Sequence, residues 1–147
     1  MTKQEINNLF NSLLECGNLS GAKFSYAIAR NINILKDEIK SFNEDRVALA
    51  KSYSKKDEKG EAVMKMGQDD LGRPAEVFDL NDQKGFEEEF KKLQKEELDI
   101  KLFKIDFTDI PQPITVSQMA GIYQIVNEEE KPKVESVLPK VIKNNKR

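Results

Sequence analysis

The sequence predicts a single α+β domain in which a long central α-helix is packed by shorter helices and accompanied by a small antiparallel sheet, a hairpin plus one strand. Residues 22–54 contain neither proline nor glycine. Apolar residues recur at three- and four-residue intervals in further segments, as in amphipathic helices. Two short alternating runs flank a loop rich in turn-forming residues, as in a hairpin. At 147 residues the chain has room for one hydrophobic core.

The first two helices are separated by a short glycine-containing stretch. An apolar stripe predicts an amphipathic helix over residues 3–16, and Gly17 with Asn18 predicts its end. Ser20 is placed to cap a second helix, which continues to about Ser54 because no helix breaker interrupts it. At a rise of 1.5 Å per residue this second helix is a rod of about 50 Å. The stripe of the first helix consists of Ile6, Leu9, Phe10, Leu13 and Leu14.

The long helix carries an apolar seam whose spacing alternates between four and three residues, which is typical of a helix that packs against another helix. Arg46 is the one polar residue in the seam. We expect its charged end to extend to water; the alternatives are that it fixes register or faces a partner. Val47 and Ala48 broaden the apolar face near its end, which indicates that more than one element packs there. The seam, which is the predicted interface, consists of Ile28, Ile32, Leu35, Ile39, Phe42, Arg46, Leu49 and Tyr53.

After the long helix, the spacing of the apolar residues changes from a helical to an alternating pattern. The charged run 54–59 and Gly60 predict an exposed turn. Residues 62–66 and 75–80 then alternate like strands on either side of a loop that contains glycine, aspartate and proline. This arrangement predicts an antiparallel hairpin.

Two more helices and one more strand are predicted after the hairpin. Asn81 or Asp82 caps a third helix. Residues 98–107 predict a strand beside the hairpin, with a bulge or burial on both faces where the alternation changes phase. Thr115 and Gln118 have the spacing of a capping box and predict the start of a fourth, short helix.

The predicted domain covers residues 1–127, and residues 128–147 predict a charged, proline-containing tail. The first residues lack the basic start and apolar stretch of a signal peptide. No run of about 20 apolar residues suited to crossing a bilayer occurs. We therefore expect a cytoplasmic protein with no membrane partner.

The composition excludes most of the common catalytic arrangements of side chains. The chain has no histidine and a single cysteine, Cys16, which excludes imidazole bases, a thiolate zinc cluster and an intrachain disulfide. We expect Cys16 to be a packed, unreactive thiol, because no histidine can activate it. No glycine pattern matches a phosphate-binding loop. The expected protein is not an enzyme and has no cofactor.

Other binding chemistry is weakly indicated. The acidic residues around the hairpin loop are more typical of a hydrated turn than of a cation site. The net charge of −2 gives no general attraction to nucleic acid, and the lysine clusters at the end of the long helix and of the chain lack interleaved aromatic residues. We therefore disfavour a nucleic-acid partner. The alternative of a small-molecule site between the hairpin and the helices would use the polar residues Tyr26, Arg30, Arg46 and Tyr53.

Several segments together resemble a family of small uncharacterised proteins of tailed bacteriophages and prophages. The similar segments are residues 22–31, 35–43, 56–60 and 86–90, with Tyr53, Leu93, Glu96 and Glu97. The resemblance spans about residues 13–107 and brings no catalytic residues. It implies a phage gene product made in the cytoplasm of a bacterial host.

A long apolar seam, a polar loop and the lack of catalytic chemistry favour a protein-binding module. We expect it to bind a host or phage protein, for example by occluding the working surface of an antiviral defence protein. One alternative is a structural virion or assembly component, and another is a protein that sequesters nucleotides. The helix lengths allow both a monomer, with the seam covered within the chain, and a dimer, which we slightly favour.

Overall fold

The long helix predicted from the sequence is present as one unbroken element in a computed structural model of the chain, which describes residues 1–127. The predicted tail, residues 128–147, lies outside the described residues. The architecture is α+β, as predicted. The elements follow in the order α1 (Lys3–Glu15), α2 (Ala22–Ser52), β1 (Met64–Gln68), β2 (Pro74–Phe78), α3 (Gln83–Lys95) and α4 (Val116–Ile122), with 3-10 helices at Phe107–Asp109 and Tyr123–Ile125.

Helix α1 begins with a capping box. The hydroxyl of Thr2 accepts a hydrogen bond from the backbone N–H of Glu5, and the Glu5 carboxylate accepts one from the backbone N–H of Thr2. Two backbone donors that the first turn would leave unsatisfied are thereby paired. The buried side of α1 then packs on α2 and α4.

The start of α2 corrects the prediction that Ser20 caps it. The N-cap is Gly21, and no side chain caps the first turn. Gly21 has a φ of 134°, a backbone conformation that glycine adopts without the steric penalty of a Cβ atom. The chain thus turns sharply between α1 and α2, which places the two helices side by side.

The hydrophobic core forms where α1, the N-terminal half of α2 and the segment after α3 meet. Burial of such apolar side chains is the main favourable contribution to folding. Helix α2 contributes one buried polar residue, Asn31, to this region. The core consists of Ile6, Leu9, Leu13, Cys16, Phe24, Ala27, Ile28, Leu35, Ile105, Ile110, Ile122, Ile125 and Val126.

The third strand predicted over residues 98–107 is wrong. Within the described residues the sheet has two strands, β1 and β2, and the segment contributes an isolated parallel bridge between Ile105 and Val126. The backbone of Phe103 instead bonds to the Asn31 side chain of α2: its N–H donates to Oδ1 at 2.8 Å, and its carbonyl accepts from Nδ2 at 2.9 Å. Where the alternation changes phase, the successive side chains of Leu102 and Phe103 are both partly buried against the core.

The hairpin sits at the C-terminal end of α2, as an antiparallel pair in which Met64 faces Phe78. Both strands begin close to the predicted positions, although β1 includes Gly67 and Gln68, which the sequence placed in the loop. The chain after α2 anchors the hairpin, since Asp79 O accepts from Lys55 N at 2.8 Å and Tyr53 O accepts from Asn81 N at 2.7 Å.

Helices α3 and α4 begin at side-chain caps that the sequence predicts. The Asp82 carboxylate accepts a hydrogen bond from the backbone N–H of Gly85 at the start of α3. Thr115 and Gln118 form the predicted capping box of α4. Helix α3 then packs on α2 through aromatic contacts: Phe90 stacks on Phe42 with ring centroids 6.0 Å apart.

Candidate functional site

The structure places most of the predicted seam against the chain's own elements. Ile28 and Leu35 are buried in the core, and Phe42 is buried under α3. Ile32 and Ile39 are partly buried against the core, and Leu49 and Tyr53 are also partly buried. Arg46 is the polar member of the seam, and it lines a surface cavity.

This cavity lies between the C-terminal half of α2, the hairpin and the start of α3, and we call it the hairpin cavity. Its volume is about 300 Å³, at the lower end of the range of about 300–1,000 Å³ for ligand pockets. Two charged side chains, Arg46 and Glu76, accompany a mainly apolar wall. The apolar wall consists of Val47, Ala50, Met64, Val77, Phe78, Leu80 and Phe86.

The elements that build the hairpin cavity follow from local sequence. Met64 and Phe78 face each other across β1 and β2, so both side chains project from the same face of the sheet. Phe86 stacks on Phe90 with ring centroids 5.7 Å apart, which fixes it beside α2. The hairpin face and the aromatic pair thus enclose the last turns of α2.

Arg46 has an unusual environment in this cavity. Its Nε is buried and has no hydrogen-bond partner within residues 1–127. A buried donor without an acceptor raises the free energy of the folded state, because the water it would bond to in the unfolded chain has been lost. The sequence predicts that the charged end of Arg46 extends to water, but part of its guanidinium is shielded from solvent.

The neighbouring carboxylates on α2 do not pair with Arg46 among the described residues. Glu44 and Asp45 are two and one residues away, whereas side chains on a helix meet at spacings of three and four. Asp45 instead lies 3.6 Å from the ammonium of Lys3 in α1, which also bonds Glu96. The hydrogen bond to Glu96 raises the pKa of the Lys3 ammonium.

A shallow groove on the outer face of α2 continues from the hairpin cavity, and we call it the α2 groove. Both concavities are lined by Val47, whose side chain is 37% exposed. Ile39 and Ala48 give the groove an apolar floor. Its other lining residues are Lys36, Lys40, Asn43, Glu44 and Lys51.

The hairpin cavity and the α2 groove adjoin at Val47. We group them with the exposed side chain of Met66 on the neighbouring strand and call the region the α2–hairpin surface. Met66 is 69% exposed and lies on the same strand face as Met64, directly opposite Glu76. Four basic side chains and two acidic ones line the two concavities. This apolar surface is therefore locally basic, although the whole chain carries a net charge of −2.

The four polar residues suggested for a small-molecule site do not gather at one place, although Arg30 donates a hydrogen bond to the Tyr26 hydroxyl. Tyr26 and Arg30 lie on the N-terminal half of α2 beside Phe103, with the Arg30 guanidinium carbon 4.5 Å from the ring centroid. Tyr53 lies at the base of the hairpin, where its carbonyl accepts the hydrogen bond from Asn81. Only Arg46 of the four lines the hairpin cavity.

Two acidic residues at the hairpin, Asp69 and Asp79, have structural partners. The Asp69 carboxylate accepts hydrogen bonds from Leu71 and Arg73, and these bonds, above all that from the Arg73 backbone, lower the pKa of Asp69. Asp79 forms ion pairs with Lys55 and Lys65. Within residues 1–127 no three acidic or thiol side chains gather in a way that could hold a metal ion.

Cys16 is buried and is not part of a disulfide. Burial raises the pKa of its thiol. A raised pKa lowers the fraction of the nucleophilic thiolate at neutral pH. Burial and the raised pKa therefore both disfavour the reactive thiolate form of Cys16.

Sequence reasoning identified Arg46, Val47 and Ala48, and it included Lys51 in the lysine cluster at the end of the long helix. It missed Lys36, Lys40 and the methionines of the α2–hairpin surface. A signal for the lysines was available: Lys36, Lys40 and Lys51 recur on the helical face that contains Val47. No local signal was available for Met64, because its place beside α2 depends on contacts between distant parts of the chain.

Comparison of the chain with protein-family models, curated proteins and solved structures gives no match. The resemblance to phage proteins therefore stays a prediction. None of the helices within residues 1–127 combines the length and the apolar character needed to cross a membrane.

Proposed function

We propose that this protein is a non-enzymatic protein-binding module that covers a surface of its partner through the α2–hairpin surface. The observation that carries the proposal is the continuity of the hairpin cavity with the α2 groove through Val47. An apolar depression bordered by a basic rim is typical of a protein interface, where apolar anchors enter the centre and charges surround them.

The shape of the region favours a macromolecular partner over a small molecule. The α2 groove is open along the outer face of α2, so a small ligand would remain largely in water, whereas ligand pockets enclose most of their ligand. Met64 and Met66 add flexible, polarisable side chains, which adapt well to the surface of another protein. The polar residues considered for a small-molecule site are also dispersed.

The charge of the surface favours a different protein over a second copy of this chain. A twofold dimer through this surface would bring the same patch of both copies together. Lys36, Lys40 and Lys51 of each copy would then approach like charges, which opposes association. The resemblance to phage proteins supports, as part of the proposal, a host protein in the bacterial cytoplasm as the partner.

Site-specific photo-crosslinking tests the proposal. A photoreactive amino acid is placed at Met66, on the proposed surface, or at Lys101, an exposed control position outside it. In a bacterial lysate we expect irradiation to give a discrete adduct with another protein from position 66 and not from position 101. Adducts of equal yield from both positions, or none from position 66, would contradict the proposed surface.

Light scattering separates this function from the alternative of a virion or assembly component. We expect the purified protein to remain a small species of uniform mass. Growth into large rings or filaments would instead favour the structural role. Blocking that growth by Val47→Glu would then place the assembly contact on the same surface.

A further inference from the structure

Arg46 lines the hairpin cavity and has a buried donor that is unsatisfied among residues 1–127. This combination indicates what the protein binds, an inference that rests on the proposed function. We infer that the hairpin cavity takes a peptide segment of the partner in which an acidic side chain lies next to a large apolar side chain. The carboxylate pairs with Arg46, and the apolar side chain fills the space beside Phe78 and Phe86. Arg46 thereby becomes the residue that selects the partner.

The first argument concerns Arg46 itself. An arginine presents Nε and a terminal nitrogen side by side, in a geometry that matches the two oxygens of a carboxylate. In the unbound protein the Nε–H has no acceptor within the described residues. A carboxylate that pairs with this edge of the guanidinium relieves the unsatisfied donor, so binding gains more there than at an arginine that is already paired.

The second argument concerns access to that edge. Because Nε is buried, pairing with a carboxylate requires a side chain of the cavity wall to move. Of the lining residues, Met64 is suited to do so. Its side chain is 41% exposed, unbranched and not held by an aromatic stack, unlike Phe86.

The third argument concerns the rest of the surface. Lys36, Lys40 and Lys51 border the α2 groove, which continues from the cavity. Further acidic residues of the partner segment would lie there against opposite charges. Glu76 is the acidic residue on the cavity wall, and it disfavours a second carboxylate on the hairpin side. The segment therefore extends from the cavity towards the α2 groove.

Selection from a display library of random peptides tests this inference without knowledge of the partner. The full-length protein and the Arg46→Gln variant serve as separate baits. We expect the wild-type protein to enrich peptides in which Asp or Glu lies next to Leu, Ile, Met or Phe. With Arg46→Gln the apolar preference should remain and the acidic preference should disappear. No enrichment, or the same acidic preference with both baits, would overturn the inference.

Calorimetry with an enriched peptide then assigns the contact. Arg46→Lys, which keeps the charge but not the paired nitrogens, should weaken binding by about tenfold. Replacing the acidic residue of the peptide by its amide should weaken binding to the wild type by a similar factor and have little further effect on the variant. Arg30→Lys, on the distant half of α2, is the matched control and should bind as the wild type does. Independent effects of the two changes would show that Arg46 does not contact the carboxylate.

The crosslinking and peptide experiments can fail independently of each other, so a failure of the proposed surface is distinguishable from a failure of the role of Arg46. An adduct at position 66 with no acidic preference in the peptides leaves the protein-binding function standing and rejects the role of Arg46. Acidic peptides whose binding is unaffected by Val47→Glu and Met66→Glu reject the proposed surface.

Discussion

The buried Nε–H of Arg46 makes a stability prediction that does not require the partner. Its donor has no acceptor within residues 1–127. Methionine is unbranched and its terminal methyl group lies where arginine has Nε. Arg46→Met therefore removes the desolvated donor and can keep the contacts of the aliphatic part of the side chain. We expect the free energy of unfolding to rise by about 1 kcal/mol, measured by urea denaturation.

The matched control for this prediction is Arg30→Met. Arg30 lies over the ring of Phe103 and is exposed, so its replacement loses a favourable cation–π contact and should not stabilise the protein. A lower stability of Arg46→Met than of the wild type would show that the guanidinium is satisfied in solution. A residue that lowers stability at a surface cavity is more typical of a binding role than of a structural one.

Asn31 illustrates the opposite case, a buried polar side chain with its bonds made. Its exposed fraction is 0%, and its amide bonds both backbone groups of Phe103 and the carbonyl of Ala27. Asn31→Leu would leave the partly buried N–H and C=O of Phe103 without their partners in Asn31. We expect a loss of about 3 kcal/mol in the free energy of unfolding, measured by chemical denaturation.

Two further variants make the test of Asn31 specific. Asn33→Leu changes an exposed residue of the same helix and should have little effect. Asn31→Asp keeps an acceptor for the Phe103 N–H but loses both donors, and we also expect it to be less stable than the wild type. If Asn31→Leu were as stable as Asn33→Leu, the hydrogen bonds between Asn31 and the backbone of Phe103 would not contribute to the stability of the fold.

The sequence contains part of this residue-scale information. Asn31 lies between Ile28 and Leu35 on the seam face of the helix, so its burial follows from the helical period. Its partner does not, because Phe103 is 72 residues away along the chain. The unsatisfied state of Arg46 is equally hidden, since it depends on where the hairpin packs.

The hairpin shows how one side chain organises an element. The Asp69 carboxylate accepts hydrogen bonds from Leu71 and Arg73 across the turn, and these bonds lower its pKa. A carboxyl group with a lowered pKa in the folded state adds stability above its unfolded pKa, and this contribution is lost as the pH falls through the folded pKa. The turn should therefore be fully ordered at neutral pH and should loosen in acid below about pH 4.

NMR measures this pH dependence directly. The amide signals of Leu71 and Arg73 should keep their folded positions at neutral pH and move together as Asp69 is protonated. Asp69→Asn retains an oxygen acceptor but cannot titrate, so the same signals should then show no such transition. A transition that persists in Asp69→Asn would assign it to another group.

Elements fixed by neighbours along the chain could be predicted, and elements fixed by distant contacts could not. The capping box of Thr115 and Gln118 is complete within four residues, and the structure confirms it. Residues 98–107 have the apolar content of a strand, but strand pairing needs a free edge at the right place. Helix α2 offers Asn31 to this segment, whereas the hairpin lies at the other end of the helix.

At the scale of the whole molecule, the distribution of charge over the surface affects partner binding more than the net charge does. The chain is slightly acidic overall, yet basic side chains predominate around the α2–hairpin surface. A surface with an excess of one charge attracts an oppositely charged partner from a distance and speeds the encounter, whereas contacts in the buried centre determine how long the complex lasts. The rim lysines and Arg46 are therefore expected to affect different steps of binding.

Surface plasmon resonance with an acidic peptide selected by the protein separates these steps. Lys40→Gln with Lys51→Gln should lower the association rate constant several-fold and reduce its dependence on salt, with little change in dissociation. Arg46→Lys should mainly raise the dissociation rate constant, because it alters a buried contact and keeps the charge. Lys101→Gln, an exposed lysine outside the surface, should change neither rate. If the two rim substitutions and the control behaved alike, the basic rim would not contribute to the encounter, and any selectivity of the complex would reside in the hairpin cavity.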